Sequence, residues 1–380
     1  MQNQLSYWEK KTFLRKADVI IIGGGIVGIN AAITLKENSP QKNIIVLERG
    51  LLPTGASTRN AGFACFGSMT ELIADLKQQS QNEVFTLVER RWRGLQRLRE
   101  RVGDKRMDYK AFGAYELFRS QDQSTFEDCQ SKIDAFNTVL AEITGESEVF
   151  QIRSEAIQSF GFSGVKDLIT NQLEGQLHPG KMMQTLWGYA RSLGVDIITG
   201  VNVSQVESGN SGVDLFSTNG VMFRSKKVLL ATNGFTRRLY PSLVVLPARN
   251  QVLITKPLEN LPFRGCFHYD EGYYYFRNVG DRVLLGGGRH LAKAAEQTDQ
   301  FGCTDLIQDA LRTLLSQTIL PNTTFEIDQW WSGILGVGEQ KTPIIQEMDK
   351  HIFVAVRLGG MGVAIGSLVG QDAAQMIENT

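Results

Sequence analysis

The residues best placed to do chemistry lie near the N-terminus, in Gly23-Gly24-Gly25-Ile26-Val27-Gly28. Gly23, Gly25 and Gly28 fit the pattern G-x-G-x-x-G. The first glycine permits a tight turn from strand to helix, and the second lets the backbone approach a pyrophosphate. The third lets helix and strand pack closely. Free N–H groups at a helix start, here around Ile26 and Val27, favour phosphate charge. Glu48 follows Gly28 by twenty residues, where a carboxylate can accept hydrogen bonds from ribose hydroxyls. Glycine turns are also common for structural reasons. Here the turn follows an apolar run, opens a helical pattern and has its acid in place, so dinucleotide binding is the stronger reading. The motif does not say which dinucleotide.

A second small and polar run is Gly55-Ala56-Ser57-Thr58-Arg59-Asn60-Ala61-Gly62-Phe63. It can hold a further stretch of an extended cofactor, or simply form a polar loop capping the next helix. Tyr273 and Tyr275 alternate with Tyr274 and Phe276, so one pair can face a pocket while the other packs. Aromatic residues favour strands anyway, which keeps ordinary sheet packing as an even competitor. His178, His268, His290 and His351 form no spaced ligand set, and Cys65, Cys129, Cys266 and Cys303 form no CxxC pair. Spacing therefore suggests neither a metal site nor a disulfide framework. Arg59, Arg249, Arg277, Arg289 and Arg357 are candidate anion binders, because arginine pairs bidentately with carboxylates.

Elements must position these residues. Ala17 to Ile22 is a continuous apolar run, as in a strand buried on both faces of a parallel sheet. A helix from Ile26 to Glu37 and a second buried strand, Ile44 to Glu48, complete a parallel crossover unit. Residues 71–102 read as one long helix or two, with arginines on a solvated face. Helices are also expected around 126–144, 181–193 and 304–317, and from Gly362 to the end. Strands are expected at 115–118, 195–198, 201–206, 213–217, 221–223 and 228–231. Asn219-Gly220 marks a hairpin, and a second hairpin turns at Gly280-Asp281.

The chain has 380 residues, enough for two domains, and its 40 Lys plus Arg balance 40 Asp plus Glu. A neutral chain gives no reason to expect a nucleic-acid partner. No signal-peptide pattern and no bilayer-length apolar run is visible, which favours the cytoplasm, with a peripheral membrane contact left open.

Taken together, GGGIVG, LERG and GASTRNAG resemble the D-amino-acid oxidase family in its broad sense, which includes glycine and sarcosine oxidases and glycerol-3-phosphate dehydrogenases. Leu229-Leu230-Ala231-Thr232-Asn233-Gly234 resembles the family's strand returning to the flavin domain. Arg357-Leu358-Gly359-Gly360-Met361-Gly362-Val363 resembles its C-terminal flavin loop. The resemblance implies a Rossmann-type FAD-binding domain (17–102, 165–240, 336–380) interleaved with a β-sheet-based substrate domain (103–164, 241–335). Residues 1–16 form an N-terminal extension. The architecture is thus α/β plus α+β.

The resemblance also implies non-covalent FAD, with Cys65 the one residue placed to change that. Its cofactor contacts would include Glu48, Arg49, Val203, Ala231, Thr232 and Gly234. A small amine or amino acid would pass hydride to flavin N5, and oxygen or a quinone-linked carrier would take the electrons. An alternative keeps FAD and oxidises a 2-hydroxy acid or glycerol phosphate, with His268 or His290 as base; another is a flavin-containing binding module. Tyr273 and Tyr275 are further catalytic candidates, and Arg249, Arg277 and Arg289 are substrate candidates. The sequence departs from the family at the carboxylate clamp. Leu335 and Gly360 stand where relatives carry arginine, and Leu284 stands where sarcosine-oxidase-like members carry lysine.

Overall fold

The computed structural model describes residues 5–380. Of the N-terminal extension, residues 1–4 lie outside the described residues, and Tyr7–Phe13 forms a short helix closed by a Ser6–Glu9 capping box.

Two eight-stranded sheets organise the chain. In the first, Ala17–Ile22 runs parallel between Ile44–Glu48 and Met222–Leu230. Asp196–Thr199 extends one side in parallel, and Ile352–Val356 extends the other. Alternation decides which face each residue serves. Ile21, Val46, Leu229 and Phe353 pack under the helices Ile26–Asn38 and Gly362–Asn379. Ile20, Ile22, Leu47 and Leu230 pack on the opposite face with Val213, Leu215 and Phe223. Burial on both faces explains the unbroken apolar runs. The two short strands read at 221–223 and 228–231 are one strand, Met222–Leu230. Its polar middle alternates, with Arg224 and Lys226 exposed and Ser225 buried, so the apolar signal lapses while the strand continues.

In the second sheet the spatial order is Ile327–Val337, Leu246–Thr255, Arg282–Gly287, Tyr274–Val279, Cys266–Tyr269, Ala114–Arg119, Val165–Asn171 and Phe150–Ile152. Val165–Asn171 is a correction to the expected division, which placed residues 165–240 in the nucleotide-binding part. This strand pairs antiparallel with Ala114–Arg119 and Phe150–Ile152. The hairpin at Gly280-Asp281 is present, pairing Tyr274–Val279 with Arg282–Gly287. One face of this sheet buries Phe267, Phe276, Leu253 and Leu285 beneath the helix Asp305–Leu314. That helix continues as a π-helical turn, Leu315–Ile319.

Residues 71–102 resolve into two helices, Met69–Leu76 and Gln81–Val102, the second started by a Ser80–Glu83 capping box. Their arginines are not a simple solvated face. Arg91 is buried against the Phe66 carbonyl and Glu71, and Arg101 bonds Asn30, Thr34 and Glu37. Among the described residues no helix is long and apolar enough to cross a membrane.

Candidate functional site

The glycine run turns where the strand Ala17–Ile22 ends. Gly23 has φ +111, and a Cβ there would lie 2.6 Å from the Ala231 carbonyl oxygen. A Cβ on Gly28 would stand 2.0 Å from the Gly23 carbonyl, so helix and turn touch backbone to backbone. Gly25 is the N-cap of Ile26–Asn38 and brings no capping side chain. Ser57 supplies one from the second polar run, its Oγ accepting from the Ile26 N–H at 2.9 Å. Trp187 holds the turn from behind, its Nε1 donating to the Gly24 carbonyl at 2.8 Å.

Glu48 is nearly buried beside this turn. Its two oxygens accept from the Gly24 and Gly50 N–H groups, each at 3.0 Å. Burial pushes its pKa up, and those backbone donors together with Arg49 oppose the rise. Each carboxylate oxygen keeps a lone pair for a ribose hydroxyl. Glu48→Ala is expected to leave buried N–H groups unpaired, a loss of about 1–3 kcal/mol. Thermal melting and FAD titration check this, with Glu48→Gln milder because it keeps an acceptor.

These groups line a cleft of about 1250 Å³, counting its open mouth. Beyond Glu48 it is closed by Arg49, whose guanidinium carbon stacks 3.6 Å above the Phe235 ring, and by Arg238. Its inner end meets the start of the last helix at Gly360, Gly362 and Val363. Gly360 has φ +90, a conformation that favours glycine. Asn233 fixes this loop, its Oδ1 accepting from the Arg357 and Leu358 N–H groups at 3.1 and 3.4 Å. A cradle that a Cβ would fill, a helix N-terminus and a buried ribose-type acid all fit a dinucleotide.

A second hollow continues from the first. Ala56, Asn60, Leu335, Gly360 and Val363 line both. Its walls carry Tyr273, Tyr275, Asn250, His268, Arg289 and Lys341. Burial pushes the Tyr275 hydroxyl up to about 12 and the His268 imidazole down to about 4, with the Glu71 carboxylate opposing the latter. Asn250 Oδ1 and His268 Nε2 are buried without a hydrogen-bond partner. Lys341 bonds Glu71 at 3.0 Å and Asp75 at 2.7 Å.

Of the residues expected at a cofactor, Gly23, Gly25, Ile26, Val27, Glu48, Arg49, Ser57, Asn60, Val203, Ala231, Thr232, Gly360, Gly362 and Val363 line the cleft. Arg59, Ala61, Gly359 and Met361 line the hollow. Gly28, Thr58, Gly62, Gly234 and Arg357 line neither and act as supports. Thr58 bonds the Pro53 carbonyl, Gly62 backs onto Leu177, and Gly234 backs onto Leu335. Arg357 donates to the Thr342 carbonyl.

Several substrate-side expectations are corrected. Arg249 is committed to Glu296 through two bonds of 2.8 and 2.9 Å. Arg277 is buried and holds the Ala61 and Leu177 carbonyls. His290 lies outside the hollow, 3.4 Å from Asp270 and against the Tyr273 and Tyr274 rings. Arg59 holds the Ser332 carbonyl at 2.9 Å and stacks on Phe301. Arg289 remains, with no ion pair among the described residues. Sequence reasoning missed Trp187, Asn233, Arg238, Glu71 and Lys341; only Asn233, inside LLATNG, carried a signal.

Comparisons with known proteins agree with this geometry. The probable oxidoreductase OrdL of Rhizobium meliloti (strain 1021) is 26% identical, covering 95% of this chain and 83% of its own length. The gamma-glutamylputrescine oxidoreductase of Escherichia coli (strain K12) is 22% identical with the same coverage, 95% and 83%. Among solved structures, glycine oxidase from Geobacillus kaustophilus superposes with a TM-score of 0.77 at 20% identity, covering 96% of this chain and 95% of that one. L-proline dehydrogenase from P. horikoshii gives a TM-score of 0.75 at 17% identity, covering 96% and 94%. These two likenesses concern the fold. A profile described as FAD dependent oxidoreductase (DAO) matches residues 18–376, which take in the glycine cradle, the second polar run and the C-terminal loop. The chain therefore belongs to the DAO family of FAD-dependent oxidoreductases.

Proposed function

We propose that this protein oxidises a C–N bond of a small amine or amino acid. The observation that carries the reading is the continuity of cleft and hollow through Leu335, Gly360 and Val363. FAD, when bound, supplies the hydride acceptor at flavin N5. It would be held by the glycine cradle, Glu48 and the start of the last helix. The chain's own residues would then orient the substrate and exclude water. Asn250 Oδ1 is an acceptor suited to an amine N–H, and the Tyr275 ring packs the wall beside it. A substrate carboxylate would meet Arg289, because Leu335 and Gly360 offer no cation and Arg249 and Arg277 are committed elsewhere. Arg289→Gln is expected to raise KM for carboxylate-bearing substrates more than it lowers kcat.

An amine bound neutral needs little acid–base machinery. Oxidation of an alcohol needs a base, and His268, the histidine in the hollow, is held near 4 and accepts a proton weakly. This favours the amine over a 2-hydroxy acid or glycerol phosphate. Non-covalent FAD is supported by Cys65, whose thiol burial pushes well above its ordinary range and so makes a poor nucleophile.

Anaerobic mixing with a panel of amines, amino acids and hydroxy acids tests the reading. Bleaching of the flavin by amines or amino acids is expected. Bleaching by alcohols alone would overturn it, and bleaching by none would favour a binding module. Reoxidation by oxygen against quinone-like dyes then separates oxidase from dehydrogenase.

A further inference from the structure

Sequence spacing gave no metal site, yet folding brings together three donors from separate elements. Cys65 follows the short strand Phe63–Ala64, Glu174 lies just beyond Val165–Asn171, and His268 sits within Cys266–Tyr269. The Cys65 sulfur, a Glu174 oxygen and a His268 ring nitrogen all lie within 4.8 Å of one another. We propose that Cys65, Glu174 and His268 form a binding site for a thiophilic divalent cation such as Zn²⁺ in the wall of the second hollow.

The donor chemistry fits. Thiolate, carboxylate and imidazole are a Zn²⁺ donor set, and a tetrahedral ion separates such donors by about 3.5 Å, so from within 4.8 Å of one another the three close by at most about 1.3 Å. One thiolate and one carboxylate neutralise a dication, which offsets part of the cost of burying its charge. Glu174 is already oriented. Its Oε1 accepts from the Phe66 and Gly67 N–H groups at 2.6 and 3.0 Å, leaving the other oxygen for an ion. His268 Nε2 is buried and unpartnered, so an ion would satisfy it. Cys65 and His268 line the hollow, which gives an ion a route in.

The FAD-loaded protein titrated with Co²⁺ tests the site. One ion per chain is expected, with a thiolate-to-cobalt band and tetrahedral ligand-field bands to the red of flavin absorption, both displaced by Zn²⁺. Cys65→Ser and His268→Gln should each weaken Co²⁺ binding by about 100-fold or more, beyond the ~10–100-fold typical of outer-shell changes. Cys266→Ser and Cys129→Ser should keep the bands. No cobalt–thiolate band in the unaltered protein overturns the proposal, and so does a band that survives Cys65→Ser.

Discussion

Gly28→Ala is expected to yield protein that loses its flavin on purification. The new Cβ would meet the Gly23 carbonyl at 2.0 Å, Ile21 Cγ2 at 3.0 Å and the Ala231 Cβ at 3.3 Å. None of these is the far end of a flexible side chain, so the helix must move away from the turn. Overpacking of this kind costs about 1–3 kcal/mol. Because the displaced segment is the cradle itself, FAD affinity should fall by about 5- to 150-fold. Equilibrium dialysis against FAD measures it. Gly188→Ala is the control: it lies in the helix Pro179–Ser192, its Cβ would meet nothing within 4 Å, and flavin retention should not change.

Glu71→Gln is expected to produce the largest loss of stability. Glu71 Oε1 accepts from buried Arg91 at 3.3 Å and from Lys341 at 3.0 Å. The Arg91 side chain is 3% exposed, so removing its counter-charge strands a cation away from water. Breaking a buried pair this way costs about 3–5 kcal/mol. Lys341→Met should cost less, since Lys341 is 35% exposed and Arg91 would keep its partner. The effect carries a pH signature. Burial pushes the Glu71 carboxyl up, but Arg91 and Lys341 outweigh it and hold the group at about 2, below its ordinary 4.5. A depressed acid stabilises the fold fully above about 4.5, and that contribution fades as pH falls toward about 2. Denaturant midpoints of native and Glu71→Gln protein should therefore differ at neutral pH and converge in acid.

The nucleotide side of this molecule was legible because its chemistry is local in sequence. Gly23 to Gly28 turn, cap and cradle within six residues, and Glu48 lies one crossover away. Burial on both sheet faces left Ala17–Ile22 and Ile44–Glu48 as plain apolar runs. Supports such as Trp187 and Asn233 were less visible, because each acts only through hydrogen bonds to distant backbone, one for Trp187 and two for Asn233.

The substrate side was harder for the same reason. Arg249, Arg277 and Arg289 look alike in sequence, and only folding commits the first to Glu296 and the second to two carbonyls. Tyr273 and Tyr275 were placed correctly on the face opposite Phe276, since strand alternation is a local rule. Residues 165–171 were grouped with the nucleotide-binding part but form a strand of the second sheet, because pairing partners are chosen by topology. The ion cluster of Glu71, Asp75, Arg91 and Lys341 joins residues up to 270 apart and had no motif to announce it.

Cleft and hollow together are proposed to hold FAD. Spectra of the purified protein, followed by acid precipitation and identification of the released chromophore, test this. A yellow protein that releases one FAD per chain and leaves a colourless pellet is expected. A colourless protein that fails to take up added FAD, with its folding verified by circular dichroism, would contradict it.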